Sequence, residues 1–434
     1  MDTSKEAFKI TGLHGNKTLS GSISVSGSKN NALPLLASSV LFDVPVSFSN
    51  VPDITDVTKM LELLESVGAL TSRKGDTVVI DPKNITHGTI DTDIANKLRA
   101  SIILTGPLLA RIGTVSFPTP GGCVIGKRPI DIFLEGYAAL GASISEIGTS
   151  FTVSSQKLSG GNFFFRLQSV TGTEALLMAA VLAHGTTTFK NVAIEPEVTD
   201  VAEFLKEAGA DITGIGTSTL VVRGTNGTPL SPKNLTSHRV IPDRIEAGSY
   251  LALGALCARD LTITGVEPAH LELPVMILKD MGIPITHSNN EIRIVDNTIK
   301  NENLKPITLR THEYPGFPTD LQSPFTVLCT QAGGESIVEE MIFEGRLAYT
   351  ADLVSMGANI TVAHPHKAVI KGPSKLTGRE LYTPDLRAGL AYIIAACSAK
   401  GTSYIHNIHY IDRGYERAEE KLKSINVALE RVSV

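Results

Sequence analysis

The segment 120–129, PGGCVIGKRP, combines one thiol, three glycines and two adjacent cations. Glycine lets a backbone adopt unusual conformations and approach a ligand closely. Nearby positive charge favours the thiolate form of Cys123. The segment therefore predicts an anion-binding loop that carries a reactive thiol. The residue types alone also allow a surface turn with an incidental cysteine.

Further cations suited to anionic groups lie outside this loop. Lys29 follows a Gly-Ser turn at the expected start of a helix. The partial positive charge of a helix N-terminus and an ammonium group together form a phosphate site. Arg99 and Arg128 offer planar guanidinium groups that suit diphosphate and carboxylate oxygens. Each of the three also has a plainer interpretation as a solvated surface charge.

A carboxylate, Asp320, follows Phe317-Pro318-Thr319 and opens an apolar stretch. It is either a helix cap or a general base, and the residues alone leave both open. Histidines give little, since His364, His366, His406 and His409 lie in strand-like or surface stretches. The sequence predicts neither a metal site nor a cofactor.

Composition limits the class of protein. The chain has 434 residues, 42% hydrophobic and 19% charged, with a net charge of −5. This length predicts at least two domains, and the absence of a basic stripe argues against nucleic-acid binding. No apolar run is long enough for a membrane span, and the polar start predicts no secretory signal. Four cysteines are too few for a disulfide framework, and three of them, Cys257, Cys329 and Cys397, lie in apolar runs typical of a core. We expect a cytoplasmic protein.

A helical stretch that ends in Gly-Ala or a close variant recurs along the chain. Its copies end at 68–69, 141–142, 209–210, 282–283, 357–358 and, with Asn replacing Gly, 426–427. The period of roughly 70 residues indicates an internal repeat. Gly or Asn at this position is typical of a left-handed helix C-cap, so the sixth copy is a conservative variant.

Small apolar helices form a second series in register with the first, beginning near Asn30, Lys97, Thr173, Arg244, Asp320 and Asp385. A β-rich piece follows each of them: 46–48, 114–117, 186–189, 261–264, 336–338 and 403–405. The unit is therefore helix–strand–helix–strand–strand, six times, and the fold class is α/β. The sixth unit lacks a closing strand, and the N-terminal segment 8–12 is similar to the closing segment 369–372.

The repeats predict two domains of three units each. Residues 29–241 form the first, which carries the cysteine loop, a lid over 119–129. Residues 1–28 and 242–434 form the second, closed by the N-terminal strand. Two connections between the domains would act as a hinge beside a cleft.

The chain resembles the enolpyruvyl transferase family. The resemblance rests on motifs spread over nearly the whole sequence: GSKNNALP at 27–34, LRAS at 98–101, the loop 121–129, FPTDLQ at 317–322 and IDRGYER at 411–417. It implies a two-domain inside-out α/β barrel, with six βαβαββ-like repeats, three per domain around a pseudo-threefold axis.

The motifs are most similar to those of the family member that uses a nucleotide sugar. The resemblance implies transfer of the enolpyruvyl group of phosphoenolpyruvate to the 3′-hydroxyl of UDP-N-acetylglucosamine, through a tetrahedral addition–elimination intermediate with release of phosphate. This is the first committed step of peptidoglycan synthesis. It implies small-molecule substrates only, and we expect a monomer with no membrane or nucleic-acid partner.

The resemblance also implies roles for residues. Asp320 is the base for the 3′-hydroxyl, and Cys123 protonates the methylene carbon, forms a thioether adduct with phosphoenolpyruvate, and is expected to react with epoxide phosphonates such as fosfomycin. The catalytic set is Cys123, Asp320, Lys29 and Arg413. The phosphoenolpyruvate contacts are Lys29, Asn30, Cys123, Arg128, Arg346, Arg387 and Arg413. The nucleotide-sugar contacts are Asn30, Arg99, Arg128, Pro129, Ile130, Asp131, Ile132, Leu167, Gln168, Ser169, Val170, Asp320 and Ile342. The following Thr171-Gly172-Thr173 departs from the more frequent Gly-Ala-Thr, which a backbone contact tolerates.

Three alternatives remain at this stage. Gly121 and Gly126-Lys127 fit a phosphate-binding P-loop, but Arg128 stands where Ser or Thr would bind magnesium. The shikimate-phosphate member of the same family would lack the cysteine loop. A non-catalytic paralogue that binds a nucleotide sugar would not need Cys123, Asp320 and Arg413 together.

Overall fold

The structure is a computed structural model that describes residues 6–119, 130–232 and 237–434. Contacts between Cα atoms divide these residues into two units. The first unit contains residues 27–119, 130–232 and 237–241, and the second contains residues 6–26 and 242–434. Each unit has its own apolar core.

Short strands and helices alternate through both units. The strands of the described ranges are β1 Glu6–Thr11, β2 Leu19–Ser24, β3 Val46–Ser49, β4 Leu70–Lys74, β5 Thr77–Asp81, β6 Thr114–Pro118, β7 Ser143–Ile147, β8 Ser150–Ser154, β9 Asn162–Phe164, β10 Thr186–Lys190, β11 Asp211–Thr213, β12 Thr219–Arg223, β13 Ser237–Arg239, β14 Ala258–Thr264, β15 Ile285–Ser288, β16 Glu291–Ile294, β17 Thr308–Arg310, β18 Gly334–Glu339, β19 Asn359–His364, β20 Lys367–Gly372, β21 Glu380–Tyr382, β22 Thr402–His406 and β23 Leu429–Ser433. The α-helices are α1 Lys29–Ser38, α2 Thr55–Ser66, α3 Thr92–Lys97, α4 Thr105–Ile112, α5 Asp131–Ala139, α6 Val170–Val181, α7 Pro196–Glu207, α8 Arg244–Cys257, α9 Glu272–Met281, α10 Gln322–Gln331, α11 Thr350–Ser355, α12 Leu386–Ser398, α13 His409–Asp412 and α14 Ala418–Ser424. Among the described residues, no helix combines the length and apolar character that a membrane span requires.

The strands form six small sheets, five of four strands in one shared order and one of three strands. The first unit holds β13-β3-β5-β4, β6-β8-β7 and β9-β10-β12-β11, and the second holds β2-β14-β16-β15, β17-β18-β20-β19 and β21-β22-β1-β23. In each sheet of four, one edge strand pairs in parallel with the strand after the first helix, and an antiparallel pair completes the sheet. The six β-rich pieces predicted from sequence are these second strands: β3, β6, β10, β14, β18 and β22.

One sheet departs from this pattern because its parallel edge is a single bridge, between Thr89 and Ser116. The helix before it also differs, since the sequence predicted one near Lys97. The chain instead ends α3 at Lys97, passes through a 3-10 turn over Arg99–Leu104 and then begins α4. Pro107, which has no N–H to donate, lies in the first turn of α4, where a helix tolerates proline.

The helices of the apolar series are buried nearly all round. Every residue of α8 and α10 is buried, as are all residues of α12 except its first. These three helices pack against one another in the second unit, and in the first unit α6 packs against both α1 and α4. Gly106 of α4 shows how close the packing is, because an added Cβ would lie 1.9 Å from the Ala175 carbonyl oxygen of α6.

The N-terminal strand belongs to the sheet of the sixth repeat. β1 lies between β22 and β23 and is antiparallel to both. Its residues Phe8 and Ile10 are fully buried in the core of the second unit. The last strand position of the sixth repeat is thus filled from the start of the chain.

Candidate active site

Asp320 lies in the 3-10 turn Thr319–Leu321 just before α10, and its carboxylate is held by two arginines. Arg346 Nη2 donates to Asp320 Oδ1 over 2.7 Å. Arg387 donates to Oδ2 from Nε over 3.0 Å and from Nη2 over 2.9 Å. The N-cap position of α10 is Leu321, whose side chain cannot cap a helix. Both oxygens of the Asp320 carboxylate are engaged in ion pairs with arginines.

Both arginines are almost completely buried, with 5% of Arg346 and 4% of Arg387 exposed, whereas the Asp320 side chain is 25% exposed. Burial opposes the charge on Arg387, but Asp320 and Tyr415 outweigh it and raise the pKa of the guanidinium. Arg387 also donates from Nη1 to the Tyr415 hydroxyl over 3.1 Å. Two permanently charged arginines therefore bind a carboxylate that is still partly accessible. Such a site can attract an anion and can also hold a proton acceptor.

Two other predicted residues of the second unit lie on short connections. Arg413 directly follows α13, and its side chain is half-buried. Burial and, next, the Arg413 charge lower the pKa of His409, so the guanidinium lies near that imidazole. Ile342 lies in the loop after β18 with its backbone N–H bound to the Glu340 carboxylate over 2.9 Å.

Lys29 is the first residue of α1, as expected, and Ser28 precedes it without a side-chain cap. Its ammonium lies 3.3 Å from Asp56 Oδ2, in the first turn of α2. The Lys29 side chain is 15% exposed and the Asp56 side chain 4%. Asp56 therefore holds an ammonium that remains partly accessible at the start of a helix.

The neighbouring Asn30 is half-buried, while Asn31 is fully buried and anchors the helix start. Asn31 Nδ2 donates to Asp200 Oδ2 over 2.9 Å, and its Oδ1 accepts from the Ile241 N–H over 3.1 Å. Asp200 also binds His238 Nε2 over 3.0 Å. This network fixes the first turn of α1, which carries Lys29 and Asn30.

The predicted nucleotide segments of the first unit meet at the starts of α5 and α6. Ser169 caps α6 by accepting from the Gly172 N–H over 3.1 Å. A Cβ added at Gly172 would lie 2.8 Å from Ser169 Oγ and 3.3 Å from Ile132 Cγ2, so the two helix starts touch there. Leu167 is 76% exposed, Asp131 is exposed and Ile130 is buried. The structure thus brings 130–132 and 167–170 together.

The remaining members of this set are placed less distinctively. Gln168 Nε2 donates to the Val192 carbonyl oxygen over 3.3 Å, and Val170 begins α6. Arg99 is half-buried at the start of its 3-10 turn. Cys123, Arg128 and Pro129 lie outside the described residues, and so does most of the predicted lid.

Some side chains that organise the site were not predicted from sequence. Glu340, Thr319 and Tyr415 all contact the Asp320 cluster directly or through one group, and Asp56 binds Lys29. Glu340 gave no signal because it is one of two adjacent glutamates at the end of a strand, where a solvated charge is the ordinary expectation. Asp56 in a first helical turn is commonplace, since acidic residues are favoured there.

Comparison with known proteins places the chain in a family. Residues 13–422 match the family EPSP synthase (3-phosphoshikimate 1-carboxyvinyltransferase). Similar relatives include the UDP-N-acetylglucosamine 1-carboxyvinyltransferases of Nitratiruptor sp., 41% identical over 97% of this chain and 99% of that protein, and of Campylobacter lari, 43% identical over 97% and 98%.

Solved structures agree on the fold. The enolpyruvyl transferase NikO from Streptomyces tendae has a TM-score of 0.88 at 23% identity, covering 99% of both chains. EPSP synthase from Acinetobacter baumannii has a TM-score of 0.73 at 18% identity, covering 99% of this chain and 100% of that one. The predicted fold class is confirmed. With six small sheets, five of them in one strand order, and matches along nearly its whole length, the chain belongs to the EPSP synthase family of enolpyruvyl transferases and, within it, to the UDP-N-acetylglucosamine 1-carboxyvinyltransferases.

Proposed function

We propose that this chain transfers the enolpyruvyl group of phosphoenolpyruvate to the 3′-hydroxyl of UDP-N-acetylglucosamine, with release of phosphate, at the start of peptidoglycan synthesis. The observation that carries the mechanism is the Asp320 carboxylate, framed by two buried guanidinium groups and still one-quarter exposed. Together with the identity of 41–43% to enzymes named for this reaction, it supports an acceptor site for a hydroxyl beside an anion site.

In this mechanism Asp320 takes the proton of the 3′-hydroxyl as the oxygen attacks the enolpyruvyl carbon. Arg346 binds one oxygen of this carboxylate and Arg387 the other, and its exposed part is assigned to the substrate. Phosphoenolpyruvate is an anion, so Arg413 and Lys29 are assigned to its carboxylate and phosphate oxygens. Asn30 and Arg99 complete the contacts, with 130–132 and 167–170 on the nucleotide.

Proton transfer to the methylene carbon is assigned to Cys123. Any acid of suitable position would serve, so Cys123→Asp should retain much of the turnover and Cys123→Ala should lose it. Equal losses in the two variants would exclude the proton-donor role. Fosfomycin should inactivate the native chain and leave Cys123→Asp unaffected, which gives a second measurement.

The direct test is phosphate release by the purified chain on mixing phosphoenolpyruvate with UDP-N-acetylglucosamine. Because the matching family is named for a shikimate enzyme, shikimate 3-phosphate is the control acceptor. We expect one phosphate per UDP-N-acetylglucosamine consumed and none with the control. Release with shikimate 3-phosphate alone would overturn the proposal in favour of that acceptor.

The proposal includes the cellular setting. Three free, buried cysteines in the described residues are compatible with a reducing cytoplasm, where we place the reaction. We propose a monomer acting on small molecules only. Size-exclusion chromatography with light scattering, with and without the nucleotide sugar, tests the oligomeric state.

A further inference from the structure

Glu340 is a fully buried carboxylate immediately after β18, and both of its oxygens accept hydrogen bonds. Oε1 accepts from the Thr311 hydroxyl over 3.1 Å and from the N–H groups of Ile342 and Phe343 over 2.9 and 3.1 Å. Oε2 accepts from the Thr319 hydroxyl over 2.9 Å. A buried charge is expensive unless such donors compensate it, so this arrangement is built around the carboxylate.

The backbone of Glu340 is held as firmly as its side chain. Its N–H donates to the His366 carbonyl oxygen over 2.8 Å, and its carbonyl oxygen lies 2.6 Å from His366 Nδ1. His366 lies in the turn between β19 and β20 of the same sheet. Hydrogen bonds therefore hold both the backbone and the carboxylate of Glu340 in place, and the groups that donate to this carboxylate are positioned by it.

Thr319 connects the Glu340 carboxylate, through Arg346, to the proposed base Asp320. A hydroxyl has one proton, and Thr319 gives that proton to Glu340, because the carboxylate can only accept. Its oxygen is then available to accept from Arg346 Nη1 over 2.8 Å, while Arg346 Nη2 binds Asp320 over 2.7 Å. Because the Thr319 proton points to Glu340, the side of the oxygen that faces Arg346 is free to accept, and the Arg346 guanidinium has acceptors on two residues.

We propose that Glu340 is a positioning residue for the transfer reaction. Through Thr319 it aims Arg346 at Asp320, and through the Ile342 and Phe343 N–H groups it fixes the loop that carries the proposed uridine contact. One buried carboxylate thereby fixes the position of the proposed base and of the loop that carries the proposed uridine contact. The inference rests on the proposed function, since it assigns Asp320 and Ile342 the roles given above.

Glu340→Gln tests the contact to Thr319 separately from the contacts to the Ile342 and Phe343 N–H groups. The amide oxygen must face the two backbone N–H donors, so the amide NH₂ group faces Thr319. The Thr319 oxygen then accepts from the glutamine with one of its two lone pairs, and its proton, which has lost its acceptor, must turn away from residue 340 and compete with Arg346 Nη1 for the remaining directions around the oxygen. The loop keeps its hydrogen bonds, while the Thr319–Arg346 hydrogen bond is weakened and the guanidinium is held less firmly toward Asp320.

Thr319→Val removes the hydroxyl that joins Glu340 to Arg346. Thr319→Ser keeps that hydroxyl and removes only a methyl group. We expect Glu340→Gln and Thr319→Val each to lower kcat about tenfold, the scale of a misplaced reacting group, with Thr319→Ser within about twofold of wild type. The Kd for UDP-N-acetylglucosamine alone should change less than about twofold in all three, since the loop stays in place. The double variant should be no slower than the slower single variant, because both changes break one connection.

Wild-type phosphate release is measured first, so that absence of release counts against the proposed function and not against Glu340. Melting temperatures check folding, and if Glu340→Gln does not fold, the Thr319→Val and Thr319→Ser pair carries the test. Wild-type kcat in Thr319→Val, or losses that multiply in the double variant, would overturn the inference. So would a weakened Kd for the nucleotide sugar at unchanged kcat, which would leave Glu340 a support of the loop only.

Discussion

Asp320 combines two requirements that usually oppose each other. The guanidinium groups of Arg346 and Arg387 favour the ionised carboxylate, yet strong ion pairing makes a carboxylate a weaker base. An acceptor in this setting contributes through position more than through intrinsic basicity, because the hydroxyl proton has a fixed carboxylate to move to as the carbon–oxygen bond forms.

Replacing Asp320 tests this view. Asp320→Asn keeps the size of the side chain but removes the charge, so we expect kcat to fall by about a hundredfold or more. UDP-N-acetylglucosamine should bind with nearly unchanged affinity in calorimetry. The melting temperature should also fall, because two buried cations lose their shared anion. Wild-type turnover in Asp320→Asn would leave the carboxylate with a purely structural role.

The cysteines differ in their expected reactivity. Cys257, Cys329 and Cys397 are buried, as their apolar surroundings predicted, and burial raises the pKa of Cys257 and of Cys329 to about 12. Burial raises that of Cys397 as well. Thiols react as thiolates, so all three are expected to be inert in the folded chain.

A thiol-exchange reagent at about pH 8 should therefore find one fast thiol in the native chain. We assign it to Cys123, and Cys123→Ser should show none. Unfolding in guanidinium chloride should expose all four thiols of the wild type. A second fast thiol in native Cys123→Ser would show that one of the buried sites opens readily.

At the scale of elements, the repeated helix ends were readable from sequence because one backbone conformation demands a particular residue type. Gly68, Gly141, Gly209, Gly282 and Gly357 all have positive φ, between 83° and 110°, and Asn426, which replaces Gly in the sixth copy, has φ 70°. The six second strands were equally readable, because a short alternating stretch follows each apolar helix.

Gly209 offers a clean measurement of this conformational demand. Its φ is 107°, and an added Cβ would meet nothing within 4 Å, so strain acts alone. We expect Gly209→Ala to destabilise the chain by about 1 kcal/mol and Gly209→Asn by less, since asparagine tolerates the left-handed region better. Thermal unfolding gives the ranking. Equal melting temperatures for wild type and Gly209→Ala would mean that the helix end adjusts without cost.

Other features of the elements could not be predicted, for identifiable reasons. The 3-10 turn over Arg99–Leu104 interrupts an otherwise helical pattern without a local signal in the sequence. The pairing of Asp320 with Arg346 and Arg387 joins residues 26 and 67 positions apart, and the motifs marked each as a substrate contact without indicating that they bind one another. Glu340 was missed because a buried carboxylate leaves no trace in a local sequence pattern.

At the scale of the whole molecule, the chain closes on itself within the second unit. β1 and β23 are neighbours in one sheet, and Glu6 lies opposite Ser433 in antiparallel register. Residues facing each other in such a pair have Cα atoms about 5 Å apart. The start and the end of the folded chain are therefore adjacent, and the closing strand of the sixth repeat is separate from that repeat only by covalent order.

This adjacency predicts that a circular permutant will fold. Val434 would be joined directly to Met1, so that Val434 and residues 1–5 link Ser433 to Glu6, and new termini would be opened between Gly216 and Thr217, in the exposed turn that connects β11 and β12. Such sites tolerate new termini, so the permutant should melt within about 5 °C of wild type and keep its phosphate-release activity.

The matched control opens the same site but carries Ile10→Asp, which places a charge at a fully buried position of β1 and should abolish cooperative melting. An insoluble permutant would mean that β1 must precede the rest of its sheet in the chain, and equal melting of permutant and control would mean that β1 contributes nothing to that sheet.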